Sequence, residues 1–418
     1  MKKTLLTICL VWMCFSLSAQ KIIDLSGKWS FSIDRQDNGE KEKWFSHTLN
    51  DFINLPGSMP EKLKGDEVTA KTQWTGSLYD SSYYYNPYME KYRKEGNIKF
   101  PFFLTPDKHY VGAAWYQKEV NIPADWKGER ILLFLERPHI ETTVWVNGQK
   151  TGMQNSLCVP HQYDITHYVR PGKCTITIRV DNRIKEINVG PDSHSITDQT
   201  QGNWNGIVGR ICLQTTPKTY FDDIQIYPEP EQKLARVKVV IKGTGTAKVK
   251  LSAESFNTDK KHIVPAIQQE IKLNKGVTET EMVLPMGNDM LLWDEFHPAL
   301  YKLKAEVTNG KKTEIKEIQF GIRRFEIKGK WFYVNGRKTQ LRGTVENCDF
   351  PLTGYAPMDV ESWERVFRIC RSYGLNHMRF HSFCPPEAAF MAADRVGFYL
   401  QPEGPSWPNH GPKLGNGQ

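Results

Sequence analysis

The sequence predicts a multi-domain protein, β followed by α/β: a jelly-roll β-sandwich, an immunoglobulin-like β-sandwich, then the first three βα units of a (β/α)8 TIM barrel. Three observations carry this prediction. Apolar residues alternate with polar ones in the amino-terminal part, as at Trp29, Phe31 and Ile33 and again at Ile176, Ile178 and Val180; a period of two marks a strand with one buried face. After Gly321-Ile322-Arg323-Arg324 the pattern changes to short apolar runs separated by helical spacing. Two of those runs, Asn376-His377-Met378-Arg379-Phe380-His381 and Phe398-Tyr399-Leu400-Gln401-Pro402-Glu403, end abruptly in polar and charged residues. Barrel enzymes build their sites at such carboxyl ends of parallel strands.

The chain opens with Lys2-Lys3, an apolar stretch from Leu5 to Phe15 and the small-residue segment Ser16-Leu17-Ser18-Ala19. Residues 1–19 thus have the pattern of a secretory signal peptide cut before Gln20. The apolar core is shorter than the ~20 residues a spanning helix needs. No later stretch is long enough either, so the mature chain is expected to be exported, periplasmic or extracellular, with no membrane span.

Residues 20–217 read as the jelly roll. Thr143-Val144-Trp145-Val146 leads into Asn147-Gly148, a two-residue hairpin signal, and short strands between such turns fit a sandwich. Between Glu61 and Tyr110 the periodicity lapses and rings crowd together, among them Trp74, Tyr79, Tyr83, Tyr84, Tyr85, Tyr88, Tyr92, Phe100, Phe102 and Phe103. A loop of this length is either functional or self-packed. Packing against the neighbouring domain is favoured over stacking on sugar. Residues 218–322 hold about seven strand patterns, from Ile224-Gln225-Ile226 to Ile318-Gln319-Phe320, the count and length of an immunoglobulin-like sandwich. Gly243-Thr244-Gly245 lies between strands, with no helix and no Gly-Lys-Ser/Thr after it, and is a turn rather than a phosphate loop.

Residues 323–418 carry the barrel pattern. Phe332-Tyr333-Val334-Asn335-Gly336 predicts a small hairpin, and Leu341-Arg342-Gly343-Thr344-Val345 a strand. Asp359 caps a helix with Trp363, Val366, Phe367 and Cys370 on one face and Gly374 as its stop. A second helix begins with Pro385-Pro386 in its first turn and ends near Gly397. The β-α-β-α-β spacing implies parallel strands. Only three of eight strands are present, so the inward face, including Met378 and Leu400, is expected to be open to water.

Composition excludes several classes. With 24% charged and 39% hydrophobic residues the chain is an ordinary folded protein rather than a disordered one. The net charge of +8 is dispersed, without a basic run or a nucleic-acid motif, so no nucleic-acid partner is expected. Cys9 and Cys14 leave with the signal peptide; Cys158, Cys174, Cys212, Cys348, Cys370 and Cys384 remain. There is no CxxC pair, and buried thiols with at most one or two disulfides are the expectation.

These pieces resemble glycoside hydrolase family 2, the family of bacterial β-galactosidases and β-glucuronidases. The resemblance is carried by the order and spacing of Leu25-Ser26-Gly27-Lys28-Trp29, Leu55-Pro56-Gly57-Ser58, Ala114-Trp115-Tyr116, Val146-Asn147-Gly148, Tyr163-Asp164-Ile165-Thr166 and Trp204-Asn205-Gly206-Ile207. Leu292-Trp293, Pro298-Ala299-Leu300-Tyr301 and Phe320-Gly321-Ile322-Arg323 continue it. It implies a sugar-binding-type first domain, an immunoglobulin-like second and a catalytic barrel. Asn376-x-x-Arg379 with His381 and Pro385-Pro386 is similar to the family's second-strand signature, although His381 here stands two residues after Arg379 in a loop longer by about one residue. The resemblance assigns Arg379, His381 and Glu403 to the sugar site, and brings Asp198 and Asn205, flanking Trp204, toward the barrel mouth. Asx residues at such places are also ordinary turn-formers.

Retaining hydrolysis needs two carboxyl groups about 5 Å apart. The resemblance places both glutamates on the fourth and seventh strands, beyond Gln418, so no catalytic residue is expected within this chain. Glu346 and Glu403 are a disfavoured substitute pair. The expected function is hydrolysis of a β-galactoside or β-glucuronide type O-glycoside, with carbohydrate as partner; a non-catalytic carbohydrate-binding or docking protein built on the two sandwiches is the alternative. No cofactor is required. A divalent cation has only Glu403 and His410 as candidate ligands, too few for a site. Oligomeric state is left open.

Overall fold

The structure, a computed structural model, describes residues 20–75, 81–100, 105–185, 195, 197–198 and 201–404. The leader at 1–19, the rings Tyr79, Phe102 and Phe103, and His410 lie outside the described residues.

The first sandwich has two antiparallel sheets. One orders Ile22–Asp24, Gly206–Thr216, Arg130–Pro138 and His161–Asp164, with the short Gly57–Ser58 also against Gly206–Thr216. The other orders Gln149–Asn155, Glu141–Val146, Gly172–Asp181, Ala113–Ile122, Gly27–Asp34 and Asp51–Leu55. The alternating residues singled out above face the gap between the sheets: Trp29, Phe31, Ile176, Ile178 and Val180 are all buried in one core. Asn147 and Gly148 both have positive φ, 50° and 78°, and close the hairpin between Glu141–Val146 and Gln149–Asn155. This is the left-handed pair that an Asn-Gly turn supplies cheaply. In the ring-rich segment, Trp74 lies edge-on to Phe100 and against His109, and Tyr83 packs on Phe100. These ring contacts lie within the loop itself, so it is self-packed where packing against the neighbouring domain was expected, while Tyr85 and Tyr88 are exposed.

The second sandwich sets Tyr220–Glu229, Leu234–Lys242 and Val277–Pro285 against Ile263–Leu273, Gly245–Ser255, Leu300–Asn309 and Lys312–Gly321. Its seven strands enclose a separate apolar core that includes Val237, Val239, Val249, Leu251, Tyr301 and Leu303.

A small antiparallel sheet, Phe325–Lys328, Trp331–Val334 and Arg337–Thr339, precedes the α/β part. There β1 (Gly343–Glu346), α1 (Val360–Ser372), β2 (His377–Phe380), α2 (Glu387–Val396) and β3 (Tyr399–Gln401) follow in order, with the three strands parallel and adjacent. Asp359 accepts the Ser362 N–H and caps α1, as its sequence position predicts. The two prolines differ slightly from expectation. Pro386 is the N-cap of α2 with ψ of 160°, outside the helix, so the pair leads into the first turn rather than forming it.

One expectation is corrected. Met378 is buried and Leu400 partly buried, and both pack with Trp363, Phe367 and Phe398 under the helices. Alternation along a strand explains this. Met378 and Phe380 turn to the helix side, which leaves His377 and Arg379 on the other face.

Candidate functional site

The carboxyl ends of the three parallel strands lie together. Arg379 is in register with Val345 on one side and Gln401 on the other, and all three project from the face opposite the helices. Beyond β3 the chain turns back, and Glu403 Oε1 accepts from Arg379 Nε at 2.5 Å. Glu403 Oε2 accepts from the Ser382 N–H at 2.9 Å. Ser382 has φ of 58°, a left-handed conformation unusual outside glycine, and this is what turns its N–H toward the carboxylate. Burial works to raise the Glu403 carboxyl, but the hydrogen bonds from Arg379 and Ser382 outweigh it and hold the group below its usual range. Side-chain exposures of 40% for Arg379 and 26% for Glu403 leave the pair well solvated. Such a pair adds little to stability; its effect is to fix the guanidinium plane.

His381 is held by its backbone. Its N–H donates to Glu346 O at 2.9 Å, and its carbonyl accepts from Gln201 Nε2 at 2.9 Å. The next residue, Ser382, gives its N–H to Glu403, so the backbone carries His381 to the Arg379–Glu403 pair. Arg379, His381 and Glu403 are thus brought together, as the sequence predicts.

Glu346 does not join them. It is in register with Phe380, on the helix side, and its Oε1 accepts from the Cys348 N–H at 2.8 Å. Burial raises its carboxyl, and its charge in turn bears on Cys370 of α1. A pairing of Glu346 with Glu403 across a sugar is therefore not supported by the strand phase.

Asp198 and Asn205 also depart from expectation. Asp198 accepts from the N–H groups of Thr75 at 2.6 Å and Asn203 at 2.8 Å, and lies 3.3 Å from His109 Nε2. Asn205 has no exposed surface. Its Oδ1 accepts from the Tyr116 hydroxyl at 2.8 Å, and its Nδ2 donates to Gly112 O at 2.9 Å and Val180 O at 3.0 Å. Both side chains are internal brackets of the first sandwich, neither surface turn-formers nor groups offered to a sugar.

What does reach the site from the first sandwich is a set of residues that sequence reasoning passed over. Gln201 and Ser195 donate to the carbonyls of His381 and Ser382. Arg137 Nη2 donates to Cys384 O at 2.6 Å. Ser58 Oγ donates to Thr353 O, and Tyr355 OH donates to Glu61 at 2.8 Å. Trp204 stacks on His139, with centroids 4.5 Å apart, and rests against Tyr355. Gly354 leaves it room, since a Cβ there would fall 3.0 Å from the indole. The signal available in the sequence was proximity: Ser58 and Trp204 sit inside quoted motifs.

Among the described residues, no three His, Cys, Asp or Glu side chains are arranged to hold a metal ion, and no helix is long and apolar enough to cross a membrane.

A jelly-roll sandwich, a seven-stranded sandwich and a parallel β-α-β-α-β unit thus follow one another in this order as separate parts of the chain. The family models agree. Residues 22–217 match the sugar binding domain of glycosyl hydrolases family 2, and residues 219–323 match a further family 2 domain. The chain belongs to glycosyl hydrolase family 2.

It is similar to the human beta-glucuronidase, at 24% identity over 420 residues, covering 91% of this chain and 57% of that protein. It is 25% identical to a beta-galactosidase of Thermoanaerobacter pseudethanolicus over 334 residues, covering 75% of this chain and 42% of the relative. A putative beta-glucuronidase of Formosa agariphila is 28% identical over 320 residues, with 75% and 37% covered. The chain thus spans about half the length, or less, of these curated relatives. Among solved structures, a β-glucuronidase from Ruminococcus gnavus in complex with D-glucuronic acid superposes with a TM-score of 0.66 at 20% identity, covering 92% of this chain and 60% of that one. A family 2 member from Bacteroides cellulosilyticus gives a TM-score of 0.64 at 20% identity, covering 92% and 47%.

Proposed function

We propose that this chain is the amino-terminal portion of an exported glycosidase that cleaves a β-galactoside or β-glucuronide type O-glycosidic bond with retention. The β1–α1–β2–α2–β3 unit is read as the opening of a (β/α)8 barrel, and the two catalytic glutamates are placed outside residues 1–418. Arg379, His381 and Glu403 contribute to the sugar pocket, with Glu403 ionised and Arg379 held in one orientation to meet sugar hydroxyls or a carboxylate. The partner is a carbohydrate.

One observation carries the reading. Arg379 projects from the site face of β2 and is locked by Glu403, which follows the neighbouring parallel strand; this is where barrel enzymes collect their binding groups.

The test is turnover of aryl β-galactosides and β-glucuronides by the 418-residue chain and by a chain extended through the following reading frame. No turnover is expected from the first. The second should be active and should lose most of its kcat/KM on Arg379→Ala. Turnover by the 418-residue chain that Glu403→Gln abolishes would move the chemistry into this chain and sink the proposal.

A further inference from the structure

The small antiparallel sheet before β1 has two unlike faces, and the strand register assigns residues to each. Val334 is buried and packs with Trp293, Leu300 and Tyr399, the residue that opens β3. That face therefore looks toward the beginning of β3, whereas Glu403 follows its end. On the other face Glu326 stands opposite Tyr333, Lys328 opposite Trp331, and Lys338 opposite Tyr333, so these five side chains share one side of the sheet. Trp331, Lys328 and Lys338 are exposed, as is Lys330 in the turn beside Trp331. Lys338 Nζ lies 3.2 Å from the centre of the Trp331 ring and Lys330 Nζ 5.5 Å from it, while Lys328 Nζ lies 5.4 Å from the Tyr333 ring. The charge on this face is unbalanced. Its one carboxylate, Glu326, is shared by Arg324 at 2.7 Å and Lys328 at 3.2 Å. Arg324 is also tied to Glu231 at 2.7 Å. Among the described residues, Lys330 and Lys338 meet an aromatic ring and no carboxylate.

We propose that this face is a docking surface for an acidic polysaccharide whose charged groups are uronate carboxylates. Charge complementarity carries the proposal: two lysine ammoniums are held beside an exposed indole with no carboxylate to displace before they meet an anion. Trp331 and Tyr333 supply flat apolar surface for the C–H faces of sugar rings, and Lys330 and Lys338 supply the counter-charges. A phosphate polymer suits the face less well, because its free cations are lysines and the guanidinium beside it, the group best matched to phosphate, is already paired. The choice of uronate rests on the reading of the chain as a glycosidase acting on β-galactoside or β-glucuronide type substrates. The surface lies away from Arg379 and Glu403, so it would hold the polymer rather than the sugar being cleaved.

The full chain is titrated calorimetrically with a galacturonate oligomer at low salt. Saturable binding is expected, weakening as salt approaches 0.15 M, where the screening length is about 8 Å. The methyl-esterified oligomer, which has lost its charges, should not bind. Lys330→Ala/Lys338→Ala should weaken binding by about tenfold, as the loss of two exposed charge contacts, and Trp331→Ala should abolish it. If Trp331→Ala fails to fold, the double lysine variant, whose side chains are exposed, decides alone. No binding by the unsubstituted chain, or undiminished binding by the lysine variant, would overturn the proposal. So would equal affinity for a single-stranded oligonucleotide or a sulfated dextran oligomer of the same charge, which would mark a general polyanion surface. The readout is binding by this chain and not turnover, so its failure leaves the glycosidase reading to the separate test of the extended chain.

Discussion

Replacing Asn205 by Ala tests whether this residue is a bracket or a sugar contact. The substitution removes two donated hydrogen bonds, to Gly112 O and Val180 O, and strands the Tyr116 hydroxyl, whose ring is fully buried. Each lost bond costs about 1 kcal/mol, and a buried hydroxyl left without a partner about 1–3 kcal/mol more. The expected loss is therefore about 4 kcal/mol. Asn205→Asp keeps the shape but cannot donate to two carbonyls and adds a buried charge, so it should be at least as damaging. Tyr116→Phe removes the stranded hydroxyl. The Asn205→Ala/Tyr116→Phe double variant should therefore cost less than the sum of the singles, by roughly 1–2 kcal/mol. Urea unfolding followed by near-ultraviolet circular dichroism reads this directly. With a slope of about 2–3 kcal/mol/M, the midpoint of the first sandwich should fall by about 1.5 M. A loss under about 1 kcal/mol with additive singles would show that the bracket is energetically idle and reopen the sugar-contact reading.

Acid should weaken the first sandwich above pH 4. His139 is held down to about 3 by burial, with Arg137 nearby, and His161 to about 4 by burial. Below about pH 6.5 the unfolded chain binds protons that the folded chain refuses, so stability is full above that pH and falls by roughly 1.4 kcal/mol per unit per histidine as pH drops toward 4; Urea midpoints at pH 7 and 5 check this, and His139→Gln should flatten the slope. Hydrogen exchange should be orders of magnitude faster at 341–345 and 398–401, whose strands are paired on one side only among the described residues, than at 176–180, which are paired on both sides. Equal protection would refute the edge argument. Residues 20–322 should unfold cooperatively without the α/β part, because the two sandwiches have separate cores; a non-cooperative near-ultraviolet melt would show that the third part completes them.

Features legible in the sequence are those set by near neighbours. The Asn147-Gly148 turn, the Asp359 cap and the left-handed Gly397 at the end of α2 all appear where residue type alone places them. The placing of Arg379 and Glu403 in one site was legible too, because one stands near the end of a parallel strand and the other just past the next. Met378 was misplaced for want of phase: once Arg379 faces the site, its neighbour must face the helices. Asn205 was misread for a different reason. Its partners Gly112, Tyr116 and Val180 come from two distant strands, and nothing in the local sequence shows that its amide is fully used. Gln201, Ser195 and Arg137 were missed because they act through backbone carbonyls, which leave no trace in residue type.

Three parallel strands with two helices have too little core to fix a site unaided, and the contacts show what holds them. From one side the first sandwich grips the loops beyond the strand ends, through Ser58 to Thr353, Gln201 to His381 and Arg137 to Cys384. From the other, the second sandwich grips the strand beginnings and helix ends. Glu295 Oε2 accepts from Asn376 Nδ2 at 2.7 Å, the Glu295 carbonyl accepts from Arg371 at 2.6 Å, and Trp293 Nε1 donates to Asp394 O at 2.7 Å. Asn376, which heads the Asn-x-x-Arg signature, is buried and spends its remaining oxygen on the Arg342 N–H. The signature is therefore divided between two tasks. Asn376 sets the height of β2 against the second sandwich, and Arg379, three residues further on, receives its orientation from Glu403 and a loop pinned by the first. The first sandwich thus contributes to the candidate site by positioning the loops beyond the strand ends, and Asp198 and Asn205 serve that end by keeping its own segments in place.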